Sequence, residues 1–359
     1  MRPGYDLGEK SSLRRVLRWV LVAVILGFGV NAFLSLFMDR QQFLRSLANV
    51  RLIYFAVPLG LFVASHVVDS LRLMLVVSQF RIRLTFWQAF YNSAVGTFFL
   101  NITPMSAGGQ PFQIYHLSTV GVPAETATNV IMSRFVEQAV TSLCISLFFL
   151  TQIGWIAASL NRGRLLVYIA LCVSLLATTI LITLLTRPHF LGRLAVRIEH
   201  TALGRLVGRV SRVHGWAPKL LRWSHRLRAN VRMLWSEKTW VMVLDTLGGV
   251  CNIGLHAWSL QLVLEGVVGL KLSFVAVAVT YVILWQVVTY VPTPGASGGV
   301  EGAFALVYAG MTSALGPTII AIFVWRIASY YLLLLFDGMV YAVLGKLSSL
   351  GARRASGAA

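Results

Sequence analysis

Thr103-Pro104-Met105-Ser106-Ala107-Gly108-Gly109 in the first half of the chain and Thr293-Pro294-Gly295-Ala296-Ser297-Gly298-Gly299 in the second share one pattern, Thr-Pro-x-x-small-Gly-Gly. Both copies lie inside strongly apolar sequence. Proline removes a backbone donor and Gly-Gly invites a turn, so neither copy reads as an uninterrupted helix. In a lipid bilayer, broken backbone survives only where protein or a water-filled cavity satisfies its polar groups. Matched breaks in two halves of a membrane chain are the best sequence-level pointer to a transporter's binding site.

The likeness extends outward in both directions. Upstream, Leu84-Thr85-Phe86 matches Leu272-Ser273-Phe274, each followed by a mostly apolar run that leads to the Thr-Pro. Downstream, Arg134 follows Pro104 by 30 residues and Arg326 follows Pro294 by 32, each interrupting an apolar helical run. Break, preceding span and following arginine together indicate an internal duplication.

Composition sets the class. Of 359 residues, 57% are hydrophobic and 12% charged, about half the charge of a soluble domain. Several windows long enough to cross a bilayer are almost free of charge. The expectation is an all-α polytopic membrane protein with about 7–9 transmembrane helices and two repeats, each with a broken or re-entrant segment. The net charge of +19 raises the question of nucleic acid. The basic residues cluster beside hydrophobic spans, without base-stacking aromatics on a polar domain, so cytoplasmic loops and anionic lipid account for them. Cys144, Cys172 and Cys251 lie in apolar segments without a CxxC spacing, and the seven histidines form no metal-binding pair. No metal, cofactor or disulfide is expected.

In chain order, residues 1–18 form a basic arm and Trp19 to Phe37 an uncleaved first span. Leu52 to Gln79 is the second span, with His66, Asp69 and Arg72 on one face at i, i+3 and i+6. Phe86 to Ile102 leads to the first break, and Pro123 opens a long helix carrying Arg134 and Glu137. Leu165 to Thr186 completes a first membrane half, residues 19–186. Residues 187–238 hold twelve Lys or Arg against Glu199 and Glu237, an amphipathic linker suited to a cytoplasmic lipid surface. The second half, 239–345, comprises Trp240 to Leu264 (interrupted by Asp245, Gly248 and Gly249), Phe274 to Val291, the break at 292–301 and a long span opened by Pro317 that contains Arg326 and Asp337. A short basic tail, 346–359, ends the sequence.

A cytoplasmic arm and a cytoplasmic linker require an even number of crossings between them, and five clear ones are present. Either a broken segment crosses fully or one long span is not simple. Inverted repeats are preferred, because breaks entering from opposite faces would meet near the midplane.

Charges in hydrocarbon cost at least about 2.5 kcal/mol each, so embedded ones face the protein interior. They serve either as internal ion pairs or as a site. Arg134 and Glu137 share a face at i, i+3, Arg326 and Tyr330 at i, i+4, and Glu301 stands just after the second break. Guanidinium forks and backbone amides freed at Gly108, Gly109, Gly298 and Gly299 suit a phosphate-bearing headgroup. The expected substrate-binding set is Asn101, Thr103, Gly108, Gly109, Gln110, Arg134, Glu137, Thr293, Gly298, Gly299, Glu301, Arg326 and Tyr330, supported by Asp69, Arg72 and Asp337. His116 reads as an interfacial side chain.

At these residues the sequence resembles the flippase-like transmembrane family, related to the membrane half of lysylphosphatidylglycerol synthase. The resemblance rests on Asn101-Ile102-Thr103-Pro104 with Gly108-Gly109, on Arg134 with Glu137, on Pro292-Thr293-Pro294-Gly295 with Gly298-Gly299-Val300-Glu301, and on Arg326. It covers roughly residues 15–345. It implies a multi-pass protein of the bacterial inner membrane, N-terminus cytoplasmic, that moves a phospholipid, aminoacylated lipid, glycolipid or polyprenyl-phosphate-linked lipid between leaflets. The headgroup is expected between the breaks, held by Arg134 and Arg326. Ala296-Ser297 departs from the more glycine-rich loop that the resemblance leads one to expect. The soluble aminoacyl-transferase domain of synthase-linked members has no counterpart in these residues, so lysyl transfer is not expected. A membrane-embedded lipid-modifying transferase, or a non-catalytic membrane partner of one, is the alternative. No DxD, metal-ligand cluster, activated nucleophile or ATP-binding motif supports an enzyme.

Overall fold

The computed structural model describes residues 50–148, 235–312 and 315–357, with a few single positions besides. The arm, the first span, most of Leu165 to Thr186 and nearly all of the basic linker lie outside the described residues. Within them the chain is helical: α1 (Ile53–Ser78), α2 (Phe86–Ile102), α3 (Gly109–Thr119), α4 (Ala124–Phe148), α5 (Thr239–Val263), α6 (Phe274–Val288), α7 (Gly299–Thr312), α8 (Leu315–Arg326) and α9 (Leu333–Gly357). The end of α5 passes into a π-helical turn, Leu264–Val268, and a second π turn, Ile327–Leu332, joins α8 to α9. Among the described residues, four helices are long and apolar enough to cross a membrane, and Phe274–Val288 and Gly299–Met311 are shorter apolar helices. Side chains such as Leu244, Leu247 and Trp258 on α5, and Leu335, Met339 and Val343 on α9, face outward, as a lipid-facing surface requires. This is an all-α, multi-pass membrane protein.

The upstream match between the halves has a local cause. Thr85 caps α2 in a capping box with Gln88, and Ser273 caps α6 through the Ala276 amide, so both Leu-Thr/Ser-Phe triplets start helices. Pro317 does not open the last span. It is the third residue of α8, in the first turn, where its missing N–H deprives the helix of no hydrogen bond. The span Leu315–Gly345 is the central one: 78% of its most apolar stretch is buried, against 33–44% for the other three.

Two cores flank it. The larger gathers α5, α6, α7 and α8 with Phe62 of α1 around Phe304, Tyr308 and Trp325. The smaller joins α1, α2, α3 and α4 with Val241 and Met242 of α5. Helices α1 and α5, from opposite halves of the sequence, therefore run through both and hold the halves together.

Candidate functional site at the junction of the two breaks

The breaks meet. Pro104 and Pro294, equivalent residues of the two copies, form an isolated antiparallel bridge. Their backbones repeat as well: Met105 and Ser106 (φ 55° and 55°) stand where Gly295 and Ala296 (φ 58° and 52°) stand in the second copy. Helices α3 and α7 then begin on the second glycine of each Gly-Gly pair. Two successive left-handed residues re-aim the chain after each proline. Only Gly295 among the four escapes the steric cost of that conformation. At Ala296 a methyl group stands where glycine would be unstrained, so Ala296→Gly should hold stability within about 0.5 kcal/mol, a relieved φ offsetting a looser unfolded chain. Ala296→Val should lose about 1–3 kcal/mol, and thermal unfolding of the purified protein in detergent separates the two.

The turns are stitched differently. In the first, the Thr103 hydroxyl donates to the Phe99 carbonyl (2.7 Å) and accepts from the Gly108 amide (2.8 Å). In the second, the Thr293 hydroxyl donates to the Ser297 carbonyl (2.7 Å), and the Gly298 amide donates to Glu301 Oε2 (2.8 Å). Glu301 Oε1 takes the Arg326 Nε–H at 2.9 Å, while Arg326 Nη2 donates to the Gly295 carbonyl at 3.0 Å. The Glu301 carboxylate thus sits between a guanidinium and the amide-rich start of α7, where an anion is favoured. Arg326 also lies over the Tyr330 ring, 4.4 Å from its centre, and the Tyr330 hydroxyl donates across the junction to the Asn101 carbonyl (3.3 Å). Asn101, Thr103, Gly108, Gly109, Thr293, Gly298, Glu301, Arg326 and Tyr330 therefore belong to one place. Gln110 is the second residue of α3, next to it.

Arg134 does not join them through any contact described here. Its Nη2 donates to Asp69 (2.7 Å) and its Nε faces Asp245 at 3.4 Å. Arg72 binds Glu137 (2.9 Å), Asp245 (2.9 Å) and Asp69 (3.2 Å). Glu137 thus pairs with Arg72 rather than with Arg134 one turn away. Two guanidiniums and three carboxylates lace α1, α4 and α5. A headgroup arriving at Arg134 would have to displace carboxylates on two helices, whereas at Arg326 it displaces Glu301 alone. The two arginines, expected to flank one headgroup between the breaks, thus have separate sets of partners.

Asp337 is farther along the same face of the central span, 3.0 Å from His66. His116 is buried, with its Nδ1 3.0 Å from the Asn92 amide nitrogen. The sequence reading left out Asp245, Ser93 and His256 as polar participants. Asp245 carried a signal, a carboxylate within an apolar run followed by Gly248 and Gly249, whose bare Cα atoms admit the Arg72 side chain.

Fold and site together define a polytopic membrane protein with paired broken segments. The family model described as "Lysylphosphatidylglycerol synthase TM region" matches residues 20–336, and the chain belongs to that family. It is also similar to a protein described as "UPF0104 membrane protein" from Archaeoglobus fulgidus, 21% identical over 327 residues, which cover 89% of this chain and 95% of that one. The membership supports a membrane domain of lipid-related function.

Proposed function

We propose that the protein moves an anionic or phosphate-bearing lipid between leaflets, with the headgroup taken up at the junction of the two breaks. The observation that carries this reading is Glu301, a carboxylate held by the Arg326 guanidinium and the Gly298 amide as a lipid phosphate would be. In this closed arrangement the protein's own anion occupies the site. A headgroup phosphate, with more acceptor oxygens than a carboxylate, suits the same planar donor fork. Arg326 is the headgroup ligand in this reading. Asp69, Arg72, Arg134, Glu137 and Asp245 hold α1, α4 and α5 in register. The two-fold character of the Pro104–Pro294 pairing is compatible with the inverted repeats of this reading, and the basic arm and linker favour a cytoplasmic N-terminus.

The test uses vesicles of phosphatidylethanolamine and phosphatidylglycerol with a trace of fluorescent phosphatidylglycerol. The purified protein should speed its exchange between leaflets, and Arg326→Ala should return the rate to that of protein-free vesicles. Glu301→Gln keeps an acceptor for the Gly298 amide but removes the competing charge, so binding of phosphatidylglycerol should tighten about tenfold, equivalent to about 1.4 kcal/mol. Exchange at the protein-free rate with all lipids tried rejects translocation. Lipid binding without exchange favours the second reading, a membrane partner of a lipid-modifying enzyme, which the family description itself suggests.

A further inference from the structure

Behind the junction, polar side chains from three helices form a chain of contacts: Asp337 of α9, His66 of α1, Ser93 of α2 and Asp69 of α1. His66 Nε2 lies 3.0 Å from Asp337 Oδ1, His66 Nδ1 lies 3.3 Å from Ser93 Oγ, and Ser93 Oγ lies 3.2 Å from Asp69 Oδ2. All of it is withdrawn from water except part of Asp69.

Counting hydrogens along this chain gives a definite result. A serine hydroxyl has one hydrogen to donate. With a neutral imidazole whose Nε2–H serves an ionised Asp337, Ser93 would have to donate to His66 Nδ1 and to Asp69 at once. Both contacts are satisfied when the chain carries one more proton. The extra proton makes His66 an imidazolium, whose Nδ1–H donates to Ser93 while Ser93 donates to Asp69. Equivalently, it makes Asp337 a carboxylic acid beside the other imidazole tautomer. A proton on Asp69 would satisfy the count too, but Asp69 already accepts from the guanidiniums of Arg72 and Arg134, partners that suit a carboxylate. Independently, Asp337 Oδ2 is buried without a hydrogen-bond partner, and an ionised carboxylate bare on one oxygen is costly in such a place.

We infer that the His66–Asp337 pair is a proton-binding site, loaded in this closed arrangement, whose proton is exchanged with the aqueous phases as the lipid junction opens and closes. This rests on the reading of the junction given above. Uptake forms one N–H or O–H bond within the pair and release breaks it; nothing else changes covalently. His66 is faced by Asp337 from α9, by Ser93 and the Phe90 ring edge from α2, by Asp69 from its own helix, and by the imidazole of His256 from α5. The guanidiniums of Arg72 and Arg134 stand behind Asp69. Deprotonation leaves a net negative charge on the pair inside the bilayer, which the central span relieves by shifting. That span carries Tyr330 and Arg326, and its π turn packs on α1, so a shift reaches the Asn101 and Gly295 contacts directly.

Two readouts test this on the full chain in the same vesicles. A pH gradient should speed exchange of fluorescent phosphatidylglycerol several-fold in the parent protein, and a protonophore should abolish the gain. His66→Gln, Asp337→Asn and Ser93→Ala should keep a basal rate that ignores the gradient. Infrared difference spectra between acid and alkaline buffer should show the proton on the pair, as a protonated-carboxyl band that Asp337→Asn removes or as imidazolium ring bands that His66→Gln removes. A gradient response preserved in the His66 and Asp337 variants, or spectra that neither changes, overturns the proton site and leaves lipid movement standing. If the parent protein moves no lipid, translocation falls, and the infrared comparison still decides whether the pair binds the proton.

Discussion

Gly295→Ala should cost the protein about 3–5 kcal/mol, measurable as a loss of thermal stability in detergent. A Cβ at Gly295 would lie 2.0 Å from Tyr330 Cε2 and within 2.8 Å of two further ring atoms. The left-handed φ of 58° adds about 1–2 kcal/mol for any L side chain. The ring cannot retreat without giving up its hydrogen bond to Asn101 and its place beneath Arg326. Tyr330→Phe, which keeps the ring and removes the hydroxyl, should cost only about 1 kcal/mol. The double variant Gly295→Ala with Tyr330→Ala should be less destabilised than the sum of its singles, because the clash has gone. Additive losses would show that the two residues do not meet as described.

Arg72→Met has a comparable effect for an electrostatic reason. Arg72 is 7% exposed and binds carboxylates from α1, α4 and α5. Its removal leaves Asp69, Glu137 and Asp245 with Arg134 alone, and an uncompensated buried charge costs about 3–5 kcal/mol. Asp245→Asn introduced alongside should recover a substantial part of that loss, because Asp245 is wholly buried and would otherwise be left with one guanidinium fewer. The measurement is the same thermal scan, with binding of phosphatidylglycerol as a second readout. Full-strength lipid binding in a folded Arg72→Met protein would agree with the headgroup site lying at Arg326 and not at this cluster.

The features legible in the sequence were those with local causes. Proline and paired glycines announced both breaks, the matching Leu84-Thr85-Phe86 and Leu272-Ser273-Phe274 triplets marked where α2 and α6 begin, and helical spacing put His66, Asp69 and Arg72 on one face. Glu301, which the sequence puts just after the second break, stands in the first turn of α7, an end that suits an acidic residue. Partnerships made across long separations were not legible. Nothing near Arg72 in the sequence announces Asp245, 173 residues away, and the i, i+3 spacing that puts Arg134 and Glu137 on one face does not announce that each takes a partner from α1. The π turn after Arg326 also left no mark, since one extra residue per turn needs no special side chain. The symmetry of the two arginines was misleading in the same way: equivalent sequence positions received different neighbours once Asp69 and Asp245 approached one and Glu301 the other.

The lone bridge between Pro104 and Pro294 has a mechanical consequence. The pairing is isolated, one rung that is not continued by its neighbours into a ladder. A seam limited to a single rung can part and re-form at small cost. A protein that must expose a polar passage first to one side of a membrane and then to the other needs a fastening of that kind, firm enough to shut and too short to lock.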